Sequence, residues 1–104
     1  MYPGNFHYKY TDLYFTTATV KDWRHLLRPD KYKKIITDSL DYLVKEQTVR
    51  VHAFVIMPNH FHIIWQMLAE QDLSKIQLRF MKYVAQQIKF DLFDHHPKVL
   101  EYFK

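Results

Sequence analysis

The chain has 104 residues, enough for one domain, and its 48% hydrophobic and 25% charged residues exclude a disordered tail. A single glycine excludes collagen-like and flexible low-complexity architectures, and the lack of cysteine excludes disulfide frameworks, thiolate metal sites and cysteine nucleophiles. A formal net charge of +4 suits a polyanionic partner such as nucleic acid, although many small domains carry as much for solubility alone.

Residues 1–12 lack the apolar stretch of a signal peptide, and no apolar run approaches a membrane span, so the expected location is the cytoplasm. Residues 2–12 are polar and aromatic without clear period and read as a lead-in. Residues 13–20 (LYFTTATV) are rich in aromatic and β-branched types and predict a first strand. Residues 21–28 form a connection with an apolar stretch at Trp23, Leu26 and Leu27. Pro29 and Asp30 open a helix to about Glu46, with Tyr32, Ile35, Ile36, Leu40, Leu43 and Val44 at helical spacing.

A second strand follows at residues 49–56 (VRVHAFVI). Met57, Pro58 and Asn59 break it, because proline has no ladder donor and asparagine tolerates turn geometry. Residues 60–67 (HFHIIWQM) predict a third strand, antiparallel to the second. Apolar residues on both faces of this hairpin predict that it is central in its sheet. Asp72 can cap a helix over residues 73–93, in which Phe80, Val84, Ile88 and Leu92 form the buried stripe and Lys75, Lys82 and Lys89 the solvated side. The tail, residues 94–104, begins with a stop signal at Pro97 and reads as a last helical turn or a short strand.

The order β, α, β, β, α predicts a single α+β domain over residues 1–104, with a core at 13–93 and a tail at 94–104. Its architecture is a ferredoxin-like split βαβ unit with a mainly antiparallel sheet and two helices on it. A fourth strand would complete that unit. The tail is barely long enough to supply it, so the C-terminal part reads as incomplete.

His60 and His62 are two apart on a strand, so both imidazoles project from one face while Phe61 points to the other. Two imidazoles on a rigid face can chelate a metal if a third ligand arrives from elsewhere. Two ordinary half-exposed histidines fit the same spacing. Tyr83 and Gln87 are four apart on the last helix and stack on one face beside the buried stripe. Tyr83 is expected at the sheet edge with its hydroxyl in a cleft, and Gln87 can offer an amide oxygen to a metal or hydrogen-bond a phosphate. A core-border aromatic with a wet hydroxyl fits equally. Together, a divalent cation on the His pair and a tyrosine nucleophile suggest attack on phosphorus with a covalent phosphotyrosine. No P-loop, glycine-rich fingerprint or serine elbow offers a competing chemistry.

At these residues the sequence resembles a known family. The run at 53–65 (AFVIMPNHFHIIW) is similar to the His-hydrophobe-His block of single-tyrosine transposases, in particular the REP-associated, IS200-like branch. The stretch at 73–87 (LSKIQLRFMKYVAQQ) resembles that family's tyrosine helix, and the likeness spans about residues 14–93. The resemblance implies an enzyme that cuts and rejoins single-stranded or hairpin DNA with Mg or Mn. It implies that His60, His62 and Gln87 are metal ligands and that Tyr83 is the nucleophile that takes the 5′ phosphate. Some relatives form homodimers in which the tyrosine helix of one subunit serves the His pair of the other, and others act as monomers. Relatives are often longer beyond the tyrosine helix, which leaves a truncated, non-catalytic DNA-binding relic as the alternative.

Other residues carry two readings each. Lys82 and Arg79 can contact backbone phosphates or form a solvated helix face. Lys31, Lys33 and Lys34 read as a solvated helix start or a DNA-flanking patch. His52 reads as a packed strand residue or a support for the His pair, and His95 and His96 as exposed loop residues. Trp65 and Tyr14 read as core, with stacking on an unpaired base as the alternative.

Overall fold

The computed structural model describes residues 2–10, 13–68 and 70–103. The elements are β1 (Tyr2–Tyr10), β2 (Leu13–Thr19), a single helical turn at Lys21–Trp23, α1 (Asp30–Lys45), β3 (Val49–Met57), β4 (His60–Met67), α2 (Leu73–His95) and α3 (Pro97–Phe103). The strands form one antiparallel sheet in the order β1-β2-β4-β3. The unit β2-α1-β3, with β4 inserted between its strands, is the split βαβ arrangement expected from the sequence.

Two expectations change. The fourth strand comes from the N-terminus, which reads as a lead-in from sequence: β1 pairs with β2 at the sheet edge. Of the two readings of the tail, the helical one holds, as helix α3. Pro97, read as a stop signal for the preceding helix, is the first residue of the next one, a position where a missing N–H costs nothing. The hairpin is also only half central. β4 lies inside the sheet, but β3 is an edge strand whose Phe54, Val55 and Met57 remain exposed.

Both long helices cover one face of the sheet. Alternation along β4 sends Phe61, Ile63 and Trp65 into that layer, all fully or almost fully buried. Phe80 of α2 meets Phe61 and Trp65 edge-on, with ring centroids 6.1 and 5.7 Å apart. Edge-to-face pairs of this kind contribute about 0.5–1.5 kcal/mol beyond the area they bury. Val84, Ile88 and Leu92 continue the buried stripe of α2 as expected. A buried polar chain crosses the same layer: Trp65 Nε1 donates to Thr16 Oγ1 at 3.0 Å, and the Thr16 hydroxyl donates to Gln77 Oε1 at 3.0 Å.

The helix ends are defined by their backbone partners. The Asp72 side chain accepts the Ser74 N–H at 2.8 Å and caps α2, as the sequence predicts. At the end of α1, Gln47 takes a left-handed conformation (φ 57°). Thr48 N–H donates to the Leu43 carbonyl and Gln47 N–H to that of Val44, the two bonds of a Schellman cap. Between the helices, Asp91 accepts from Tyr32 Oη at 2.6 Å and pairs with Lys31 at 2.7 Å.

Candidate active site

His60 and His62 project from the sheet face opposite α1 and α2, because Phe61 and Ile63 on the same strand point into the helix layer. Their rings lie side by side, with centroids 4.9 Å apart. Two features of the sequence put them there. Pro58 and Asn59 close a two-residue turn, with Met57 paired to His60, so β4 begins on the first histidine. The β2–β4 register then sets Thr17 directly opposite His62.

Each imidazole is held through Nδ1. His60 Nδ1 lies 2.6 Å from Asn59 Oδ1, a carbonyl oxygen that can only accept, so this nitrogen carries the proton. His62 Nδ1 lies 2.9 Å from Thr17 Oγ1. When both Nδ1 atoms donate, both Nε2 atoms carry a lone pair. Oriented imidazoles of this tautomer are the usual form of histidine metal ligands, whose second nitrogen is fixed by a neighbouring acceptor. The donor set therefore fits a divalent cation at its protein-facing side. Among the described residues no cluster of three or more His, Asp, Glu or Cys side chains that could hold a metal is present, so an ion at His60 and His62 would have to complete its shell with oxygens from water or phosphate.

Tyr83 and Gln87 are brought together, but elsewhere. They line an open groove of about 690 Å³ between α1 and α2, with Arg79 and Lys82 on one wall and Tyr42 on the other. Tyr83 is 53% exposed and its neighbours are α1 residues, not the sheet edge that its position on the helix suggests. The sheet lies between this groove and the His pair. Within one chain the structure therefore does not bring Tyr83 or Gln87 to His60 and His62. Helical spacing identifies which residues share a face of α2, but not which side of the sheet α2 covers.

The remaining candidates are placed as follows. Trp65 is completely buried and belongs to the core, and Tyr14 packs half-buried against it. His52 sits at an irregularity of the edge strand β3, with Nε2 3.3 Å from Gln66 Oε1, and supports neither His60 nor His62. Lys31 pairs with Asp91, Lys33 with Asp30 and Lys34 with Asp38, so this basic cluster is balanced by acids on the helix surface. His95 and His96 are exposed as expected, but His95 is the last residue of α2 and faces Asp91 at 3.9 Å, while His96 lies in the break before α3 and meets Lys31 at 3.2 Å.

Three residues at the His pair escape the sequence reading. Thr17 is one of three threonines in β2, and nothing short of strand register singles it out. Asn59 reads as a turn former only. Trp23 lies far from the histidines in sequence, yet its ring is 6.0 Å from that of His60.

No family model matches the chain, and no curated protein does. Among solved structures, the chain is similar to a REP-associated tyrosine transposase determined bound to a REP hairpin. The TM-score is 0.62 at 19% identity, and the match covers 84% of this chain and 53% of the other. This chain thus spans about half the length of that protein, and at this identity the likeness establishes a shared fold.

Proposed function

We propose that the chain is the His-hydrophobe-His domain of a metal-dependent transposase that cleaves and rejoins single-stranded DNA beside a hairpin, working in the cytoplasm. The observation that carries this reading is the pair of imidazoles on the open sheet face, both fixed through Nδ1 with Nε2 left for a ligand. A Mg or Mn ion held by His60 and His62 would supply Lewis-acid polarisation of a phosphoryl oxygen. The similar solved structure is bound to a REP hairpin, and a DNA hairpin with its single-stranded flank is the partner assigned here.

Tyr83 is the nucleophile in this reading. Its phenolic oxygen attacks phosphorus, the bond from phosphorus to the 3′ oxygen breaks, and the tyrosine proton passes through water to that oxygen, which leaves as a hydroxyl. The product is a 5′-phosphotyrosine, and attack by a 3′ hydroxyl reverses the step and rejoins DNA. Since the sheet separates Tyr83 from the His pair of its own chain, the Tyr83 of one copy serves the phosphate held by another, and Gln87 travels with it as the further oxygen ligand. Arg79 and Lys82, on the same groove wall, would hold flanking phosphates. The same separation favours a second reading, a hairpin-binding domain without strand chemistry of its own.

Incubation with labelled hairpin DNA and Mn, followed by denaturing electrophoresis, tests both. The parent chain is expected to form a denaturant-resistant adduct, while Tyr83→Phe and His60→Ala each form none. Mixing the two variants should restore it, since each supplies what the other lacks. An adduct that survives Tyr83→Phe would overturn the choice of nucleophile. Tight hairpin binding with no adduct from the parent would establish the non-catalytic reading.

A further inference from the structure

The connection between β2 and α1, residues 21–28, is built more firmly than a surface loop needs to be. Both of its ends are stapled to the turn that precedes His60: Val20 N–H donates to the Asn59 carbonyl at 2.9 Å, and Leu27 N–H to that of Pro58 at 2.8 Å. Within it, Asp22 and Trp23 both take positive φ, 55° and 56°. Left-handed conformations are costly for residues with a side chain, and most of all for a bulky one, so surrounding contacts must hold them. Tyr102, from the far end of the chain, provides such a contact. Its hydroxyl donates to Asp22 Oδ2 at 2.5 Å, and the Arg24 guanidinium lies 4.5 Å over its ring.

The consequence of this strained, clamped turn is the position of one side chain. Trp23 is 61% exposed, its ring stands at 72° to that of His60, and most of the indole surface is in water beside the His pair. An indole left in water gains nothing for the core, and strain that places a residue at a functional site is characteristic of a ligand contact. Lys21, Arg24 and Arg28 lie in the same short connection. An exposed aromatic ring flanked by cations is the combination that binds single-stranded nucleic acid, with the base stacked on the ring and the phosphates on the cations.

We infer that Trp23 is a stacking platform for an unpaired base next to the phosphate held at His60 and His62, and that Tyr102 and Asp22 preset it. This rests on the nucleic-acid reading of the His pair. The ligand is an unpaired nucleotide, because a base inside a duplex has no free face to offer. Stacking would select for single-stranded character beside the hairpin and not for a base type.

The chain carries only two tryptophans, and Trp65 is completely buried, so Trp23 reports its own contact by fluorescence. The probes are a DNA hairpin with an unpaired thymidine flank, the same hairpin with the flank's first position abasic, and the hairpin without a flank. The flanked hairpin should quench the emission of the parent chain. Trp23→Ala should bind it about 10- to 100-fold more weakly, as expected for one lost stacking contact. Trp23→Phe should lie between the two. The abasic and flankless hairpins should bind parent and Trp23→Ala alike. Tyr102→Phe, which releases Asp22 but keeps an aromatic ring, should weaken binding of the flanked hairpin only. If the parent binds no hairpin at all, the nucleic-acid reading fails and this inference with it. If the parent binds all three probes, without quenching and as tightly as Trp23→Ala, the reading stands and the stacking role of Trp23 is overturned.

Discussion

Thr17 and His62 face each other across the β2–β4 ladder, and the threonine hydroxyl lies 2.9 Å from Nδ1 of the imidazole. The contact holds the ring orientation of His62 and, with the hydroxyl accepting, leaves Nε2 open to a ligand. Replacing Thr17 with Val keeps the shape and removes the acceptor. Metal affinity should fall by about 10- to 100-fold, the usual cost of losing such a partner. Titration of Mn into parent and variant, with circular dichroism to confirm the fold, checks this. Equal affinities would remove Thr17 from the site.

The buried chain from Trp65 through Thr16 to Gln77 predicts a purely structural effect. Thr16→Val leaves the indole N–H and the Gln77 amide without their partner in a dry layer. Each such orphaned group costs about 1–3 kcal/mol. Guanidinium unfolding should show a clear drop in stability for Thr16→Val and little for Thr16→Ser, with hairpin binding of the folded protein unaltered.

Asp91 predicts a pH dependence. The hydrogen bond from Lys31, and next that from the Tyr32 hydroxyl, hold its carboxyl below the usual carboxylate range. A carboxyl depressed in the folded state adds stability above its ordinary pKa, and that stability is lost as pH falls through the folded value. Thermal unfolding across the acid range should therefore show parent and Asp91→Asn well separated near neutral pH and converging in acid. Burial, and then Asp91, also push the Tyr32 hydroxyl up, so its contribution is full below the ordinary tyrosine pKa and is lost in strong alkali.

Gln47 occupies the left-handed position of a Schellman cap that helices usually fill with glycine. Gln47→Gly should relieve the side-chain penalty at φ 57° and, after the larger entropy of the unfolded chain, raise stability by up to about 1 kcal/mol. The midpoint of chemical unfolding reports this directly. A lower midpoint would mean that the Gln47 side chain contributes more than its backbone costs.

Local signals made much of the fold legible. The 3.6-residue period of α1 and α2, the Asp72 cap and the Pro58–Asn59 turn all act within a few residues of themselves, and the elements begin and end close to where those signals stand. β1 escaped because Pro3 and Gly4 argue against a strand. Only its place at the sheet edge, paired on one side alone, allows a residue without an N–H donor. The exposure of β3 was also invisible, since alternation reveals which residues share a face but not whether anything covers it.

The sequence by itself determined the chemistry available: two imidazoles on one face of a strand, and a tyrosine and a glutamine on one face of a helix. Strand and helix periods are properties of the backbone and hold without knowledge of the rest of the chain. Only the tertiary structure decided which groups meet. It put α2 on the side of the sheet away from the histidines, set Thr17 against His62 through strand register, and brought Tyr102 to the turn that carries Trp23 beside His60. Those meetings depend on packing between segments as far as 80 positions apart, and local sequence carries no record of such distances.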